Sequence, residues 1–105
     1  MIIALPDSFI GKADQVRLES FAAHLIAHGW ASRWYWNRQP GPDMALHVYK
    51  RRCDERPMLC LIRSRINRAF CAKDAAGNTI AEGELCYVMR VVDTRVRVRD
   101  TTFRA

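Results

Sequence analysis

One stretch, Pro57 to Arg99, constrains the fold of this chain more than any other. It reads as two strand arms pivoting on Lys73-Asp74-Ala75-Ala76-Gly77-Asn78. With Asp74 set opposite Thr79, the residue types sort by face. One face collects Ile62, Ile66, Phe70, Leu85, Tyr87, Met89 and Val91, and the other collects Arg63, Arg65, Asn67, Lys73, Glu82, Glu84 and Arg90. Side chains on a strand alternate with period two, so a slip of one residue in one arm would mix the two sets. The pattern predicts a register and a side that packs on a core. In that register Arg90 stands directly opposite Arg63. The second arm runs on through Val96 and Val98, with a bend near Asp93-Thr94, because few strands stay regular for so long.

Upstream, Ile2 to Leu5 reads as a short strand ended by Pro6-Asp7, and helix signals follow. Asp14 is a candidate N-cap, and Leu18, Phe21, Ala22, Leu25 and Ile26 recur at helical spacing. Gly29 supplies a left-handed stop, with His28 in the last turn. The back of this helix carries Ser20, Ala23 and Ala27 where a solvated face is usually charged, which predicts a covering sheet or a second subunit. Trp30 to Asn37 alternates as a strand, with Trp30, Trp34 and Trp36 on one face and Arg33 and Tyr35 on the other. Gln39-Pro40-Gly41-Pro42-Asp43 is a turn, Met44 to Arg52 alternates again, and Cys53 to Pro57 breaks it. The predicted fold is α+β in a single domain, residues 1–105. One N-terminal helix packs on a curved, mostly antiparallel sheet of five to six strands, with room for the sheet to wrap it.

Composition narrows the class of partner. The 105 residues are 50% hydrophobic and 27% charged, which is globular composition and argues against disorder. Apolar runs are short and interrupted by charge, so no membrane span is expected. Met1 to Leu5 is too brief for a signal peptide, and a cytoplasmic location is expected. Net charge is +6, which attracts nucleic acid, acidic proteins and anionic surfaces. The 14 arginines against 3 lysines also fit GC-rich coding with no functional cause. Cys53, Cys60, Cys71 and Cys86 lack zinc spacing. In the register above, Cys71 faces Glu82, Cys86 faces Asn67 and Cys60 points to the opposite face, so no two are cross-strand partners.

The candidate binding residues are basic. Arg63, Arg65 and Arg90 share one sheet face, and like charges facing each other across a ladder cost stability unless an anion sits nearby. Arg95, Arg97 and Arg99 project from one side of the last strand, as a phosphate-tracking strand would present them or as an edge strand protected by charge would. Arg33 and Tyr35 form a smaller candidate, a base-stacking platform, if Tyr35 is exposed and the tryptophans are buried. His24 and His28 sit four apart, but Leu25 stands where a zinc-protease helix has glutamate, and no third ligand is evident. His47, on a strand beside Tyr49, reads as a hydrogen-bonded structural residue. Glu82 and Glu84 share a face without a buried neighbour to tune them, and no catalytic motif occurs. The reading is a non-catalytic binder of nucleic acid that needs no cofactor or metal. Its alternative is an accessory protein of the mobile-element kind that docks on an acidic protein surface. The helix back and the three tryptophans predict a homo-oligomer.

The hairpin segment Asp74 to Leu85 resembles the central hairpin of hot-dog fold thioesterases and dehydratases, and the helix-then-strands order is similar over the C-terminal half. The resemblance implies a helix wrapped by the sheet and a dimer with an apolar tunnel between subunits. It also implies acyl-thioester chemistry or ligand binding, with a carboxylate such as Asp14 or Glu19 at the tunnel mouth.

Overall fold

The computed structural model describes residues 10–37, 44–63 and 68–104, with side chains through residue 98. The predicted Ile2–Leu5 strand and the Gln39–Asp43 turn lie outside the described residues. Helix α1 spans Lys12–Ala27 and enters from Gly11, which is extended; Asp14 sits within the first turn and not at the cap. It pairs there with Arg17 at 3.5 Å. Leu18, Ala22 and Leu25 are fully buried along one stripe. The helix ends as its glycine predicts. Gly29 takes φ +76, its amide donates to the Ile26 carbonyl, and the Trp30 amide donates to the Leu25 carbonyl. That pair of bonds satisfies two carbonyls the helix would otherwise strand.

Five antiparallel strands follow as a meander: β1 Arg33–Asn37, β2 Ala45–Tyr49, β3 Leu59–Arg63, β4 Phe70–Asp74 and β5 Thr79–Gly83. A second helix, α2, then runs Leu85–Arg104. The class is α+β, as read from the sequence. The pivot is also where the sequence places it. Cys71 pairs with Glu82 and Ala72 with Ala81, while a bulge moves Lys73 opposite Thr79. Asp74 closes the turn by accepting from the amides of Ala76 (3.0 Å) and Asn78 (2.9 Å). Gly77 supplies the positive φ that the reversal requires.

Both arms of the predicted long hairpin end early. The first arm turns back between Arg63 and Phe70, which become cross-strand partners. Arg68 takes the left-handed φ of 60 in that connection. Arg63 therefore faces Phe70 and not Arg90, and Cys60 and Cys71 share one side of the sheet. The second arm is a strand only to Gly83, whose φ of +146 turns the chain into α2. Arg90, Arg95, Arg97 and Arg99 are helical, and so is Cys86. Leu85, Val88 and Val92 are the residues of α2 buried among the described side chains, a helical spacing that serves the core better than the period-two set does.

Both helices lie on one face of the sheet. Trp34 and Trp36 of β1, Leu46 and Val48 of β2, Leu59 and Leu61 of β3, Ala72 and Ala81 meet the buried stripes of α1 and α2 in one cluster. Each fully buried leucine or valine contributes about 1.5–3 kcal/mol of apolar transfer. The Trp36 indole N–H also donates to the Glu19 carboxylate at 2.8 Å, fixing α1 against β1. The sheet does not enclose α1: Ser20, Ala23 and Ala27 lie exposed on its back. The wrapped helix implied by the hot-dog resemblance is absent from the described residues, because α2 occupies the place its further strands would take. No helix is long and apolar enough to cross a membrane among the described residues.

Candidate functional site

The sheet face opposite the helices carries a polar aromatic cluster built by β1, β2 and β3. Alternation places Arg33 and Tyr35 there from β1, because Trp34 and Trp36 are committed to the core. Register sets Tyr35 across from His47, His47 across from Cys60, and Cys60 across from Lys73. A row of four polar or polarizable side chains thus crosses the sheet, with Arg33 opposite Tyr49 beside it.

Tyr49 is the floor of this cluster and Tyr35 its exposed edge. Tyr49 is 3% exposed and Tyr35 42%. Their rings stack at 5.5 Å between centroids with 18° between planes, and their hydroxyls are 2.8 Å apart. The Arg33 guanidinium lies 4.0 Å from the Tyr49 ring centroid and donates to the Asp54 carbonyl at 3.2 Å. Burial, reinforced by the Tyr35 hydroxyl, pushes the Tyr49 phenol up to about 12. Burial lowers the pKa of His47, so the neutral imidazole is favoured. Two polar atoms on this face, Arg33 Nε and His47 Nδ1, are buried without a hydrogen-bond partner among the described residues. The expected hydrogen bond of His47 is thus not seen at that nitrogen. Unpaired buried donors and acceptors cost about 1–3 kcal/mol each, a cost the covered face does not carry among the described residues.

The arginines do not assemble into the predicted basic sheet face. Arg63 ends β3 on the helix side, where its guanidinium donates to the Arg68 carbonyl (2.9 Å) and lies 5.5 Å from the Phe70 ring centre. Arg90 is exposed on α2. Arg95 turns towards Asp74 at 3.9 Å, and Arg97 bonds Asp93 at 2.9 Å. The three belong to a helix whose side chains fan out by 100° per residue, so the phosphate-tracking strand of Arg95, Arg97 and Arg99 does not exist. Arg65 and the Arg99 side chain lie outside the described residues. Arg33 and Tyr35 remain together, with the tryptophans turned away, the arrangement a stacking platform needs. No family model, curated protein or solved structure matches the chain.

The two helix histidines gain partners that sequence reasoning missed. His24 Nε2 donates to Asp93 at 3.0 Å. His28 stacks on Trp30 at 4.7 Å. Asp93 also accepts from Arg97, so α1 and α2 are clasped through one carboxylate. No group of three or more metal-ligating side chains occurs among the described residues. A strand bend at Asp93-Thr94 hides Asp93 from sequence reasoning, and the Asp93–Arg97 spacing of four is the signal that points to it. His47 and Tyr49 were likewise legible, since folding β1 on β2 with Arg33 and Tyr35 outward forces both onto the same face.

Proposed function

We propose that this protein binds single-stranded nucleic acid through the open sheet face centred on Tyr35. The observation that carries the reading is the half-exposed Tyr35 ring, held parallel to a buried Tyr49 and flanked by Arg33. A ring pre-oriented on a rigid strand offers a base a stacking surface at little entropic cost. Such stacking contributes about 1–3 kcal/mol per base and tolerates any sequence. Arg33, two residues along β1, and Lys73, three strands across the same face, can meet phosphate, and the net charge of +6 favours approach of a polyanion. Arg90, Arg95 and Arg97 on α2 lie away from this face, so few phosphates are engaged and the salt dependence is shallow. Two contacts give a log–log slope of about −1.4 on single strands.

Fluorescence anisotropy of labelled oligothymidylate against protein, over a salt series, tests this. Tyr35→Ala should weaken binding by about 5- to 150-fold, Tyr35→Phe should retain it, and Arg33→Gln should flatten the slope by about 0.7. Wild-type affinity in Tyr35→Ala, or no binding at low salt, would sink the assignment. In the latter case saturable capture of an acidic protein becomes the better account of the charge.

A further inference from the structure

A pocket of about 200 Å³ opens on the helix side of the sheet, remote from Tyr35. Its walls are Trp30, Met58, Leu59, Ile80, Val92 and Val96, and its polar rim is Lys50, Asp74 and Arg95. The bulge at Lys73 helps to shape it. Ala72 pairs with Ala81 but Lys73 with Thr79, which leaves Ile80 unpaired against the core cluster. We infer that this pocket binds a small amphiphilic anion, a single carboxylate on an apolar body, with roughly ten non-hydrogen atoms in all.

Size sets the body. A dry cavity of about 150 Å³ lined by aliphatic and aromatic side chains holds benzene, so 200 Å³ takes a ring or a short alkyl chain and no larger lipid. Charge sets the head group. Lys50 and Arg95 stand beside Asp74 on the rim. Asp74 is a weak competitor for them, because one of its oxygens already accepts from the Ala76 and Asn78 amides. Its other oxygen is 3.9 Å from Arg95, beyond hydrogen-bond length. Arg95 makes no hydrogen bond among the described residues, although its side chain is 41% exposed beside an apolar wall. A guanidinium so placed can receive a carboxylate bidentately while the attached hydrocarbon displaces water from Val92 and Val96.

Octanoate is the probe and octan-1-ol its neutral counterpart, titrated by calorimetry and by amide chemical-shift mapping. Octanoate should bind in the wild type with shifts at Gly29, Met58, Ile80 and Val96 and none at Tyr35. Arg95→Gln should weaken octanoate about tenfold and leave octanol unchanged. Val96→Phe should fill the space and weaken both; if that variant fails to fold, Ile80→Phe replaces it. No octanoate binding at millimolar concentration overturns the inference, as do shifts confined to other surfaces or equal octanoate affinity in wild type and Arg95→Gln. None of these outcomes bears on Tyr35, so this site and the nucleic-acid face stand or fall separately.

Discussion

The two faces of one sheet are made by alternate residues of the same five strands, yet they obey different physics. On the covered side Leu46, Val48, Leu59 and Leu61 are interchangeable in kind: apolar, fully buried, and held by two helices. On the open side Arg33, Tyr35, His47 and Tyr49 mix a cation, an imidazole and two phenols, and their contacts are specific in geometry. Packing dictates the first set within narrow volume limits. Packing does not ask for the second set, which carries two unpaired buried polar atoms and an exposed aromatic ring. The period of the β-strand alone separates the two sets.

Substitutions on neighbouring strands can break that contrast. Leu61→Ala, in the middle of the covered face, should cost about 2–5 kcal/mol in urea unfolding. Tyr35→Ala, on the open face, should cost under about 1 kcal/mol while abolishing most nucleic-acid binding. Equal losses of stability would mean that the open face is a second core. Glu19→Gln replaces the charged acceptor of the Trp36 indole with a neutral one and should cost about 1 kcal/mol, read from the same unfolding curves.

Two smaller effects sharpen the contrast through pH. The Tyr49 phenol is held at about 12, so stability from its neutral form is complete below pH 10 and is lost as pH rises towards 12. Ultraviolet titration should find one tyrosine still protonated above pH 11, and Tyr35→Phe should bring that tyrosine down. His47 has a lowered pKa, so the unfolded chain takes up a proton before the folded one does. Its contribution to stability is therefore present above pH 6.5 and declines as pH falls below it. Thermal unfolding at pH 7.5 and 5.5 should show a smaller pH difference in His47→Gln than in the wild type.

The hairpin at Asp74–Thr79 was legible because two independent signals, turn chemistry and face sorting, agreed there. Helix α2 was not, because Leu85, Tyr87, Met89 and Val91 alternate as a strand while Leu85, Val88 and Val92 recur as a helix. Its many valines and Thr94 favour strand by local preference, and burial against β4 and β5 overrides that preference. Gly83 in mid-arm and Asp93 four residues before Arg97 pointed to the helix. The split between β3 and β4 was similarly masked, since Arg63 and Phe70 fit a continuous alternation. The open-face site was half legible: Arg33 and Tyr35 could be placed, but the arginines further along could not be, once their strand became a helix.

Among the described residues every strand pairs only with its neighbours in the chain, whereas the His24–Asp93 clasp joins residues 69 apart in sequence. The hairpins can therefore zip one after another on a timescale of about 1–10 μs each, without closing a long loop. Contact between α1 and α2 is the long-range step, because α2 packs chiefly on β5, its neighbour in the chain. His24→Ala should then steepen the loss of native protein by faster unfolding, with the refolding rate nearly unchanged in stopped-flow traces. That outcome would make the clasp a lock on a finished fold, prolonging the lifetime of the native state without guiding its formation.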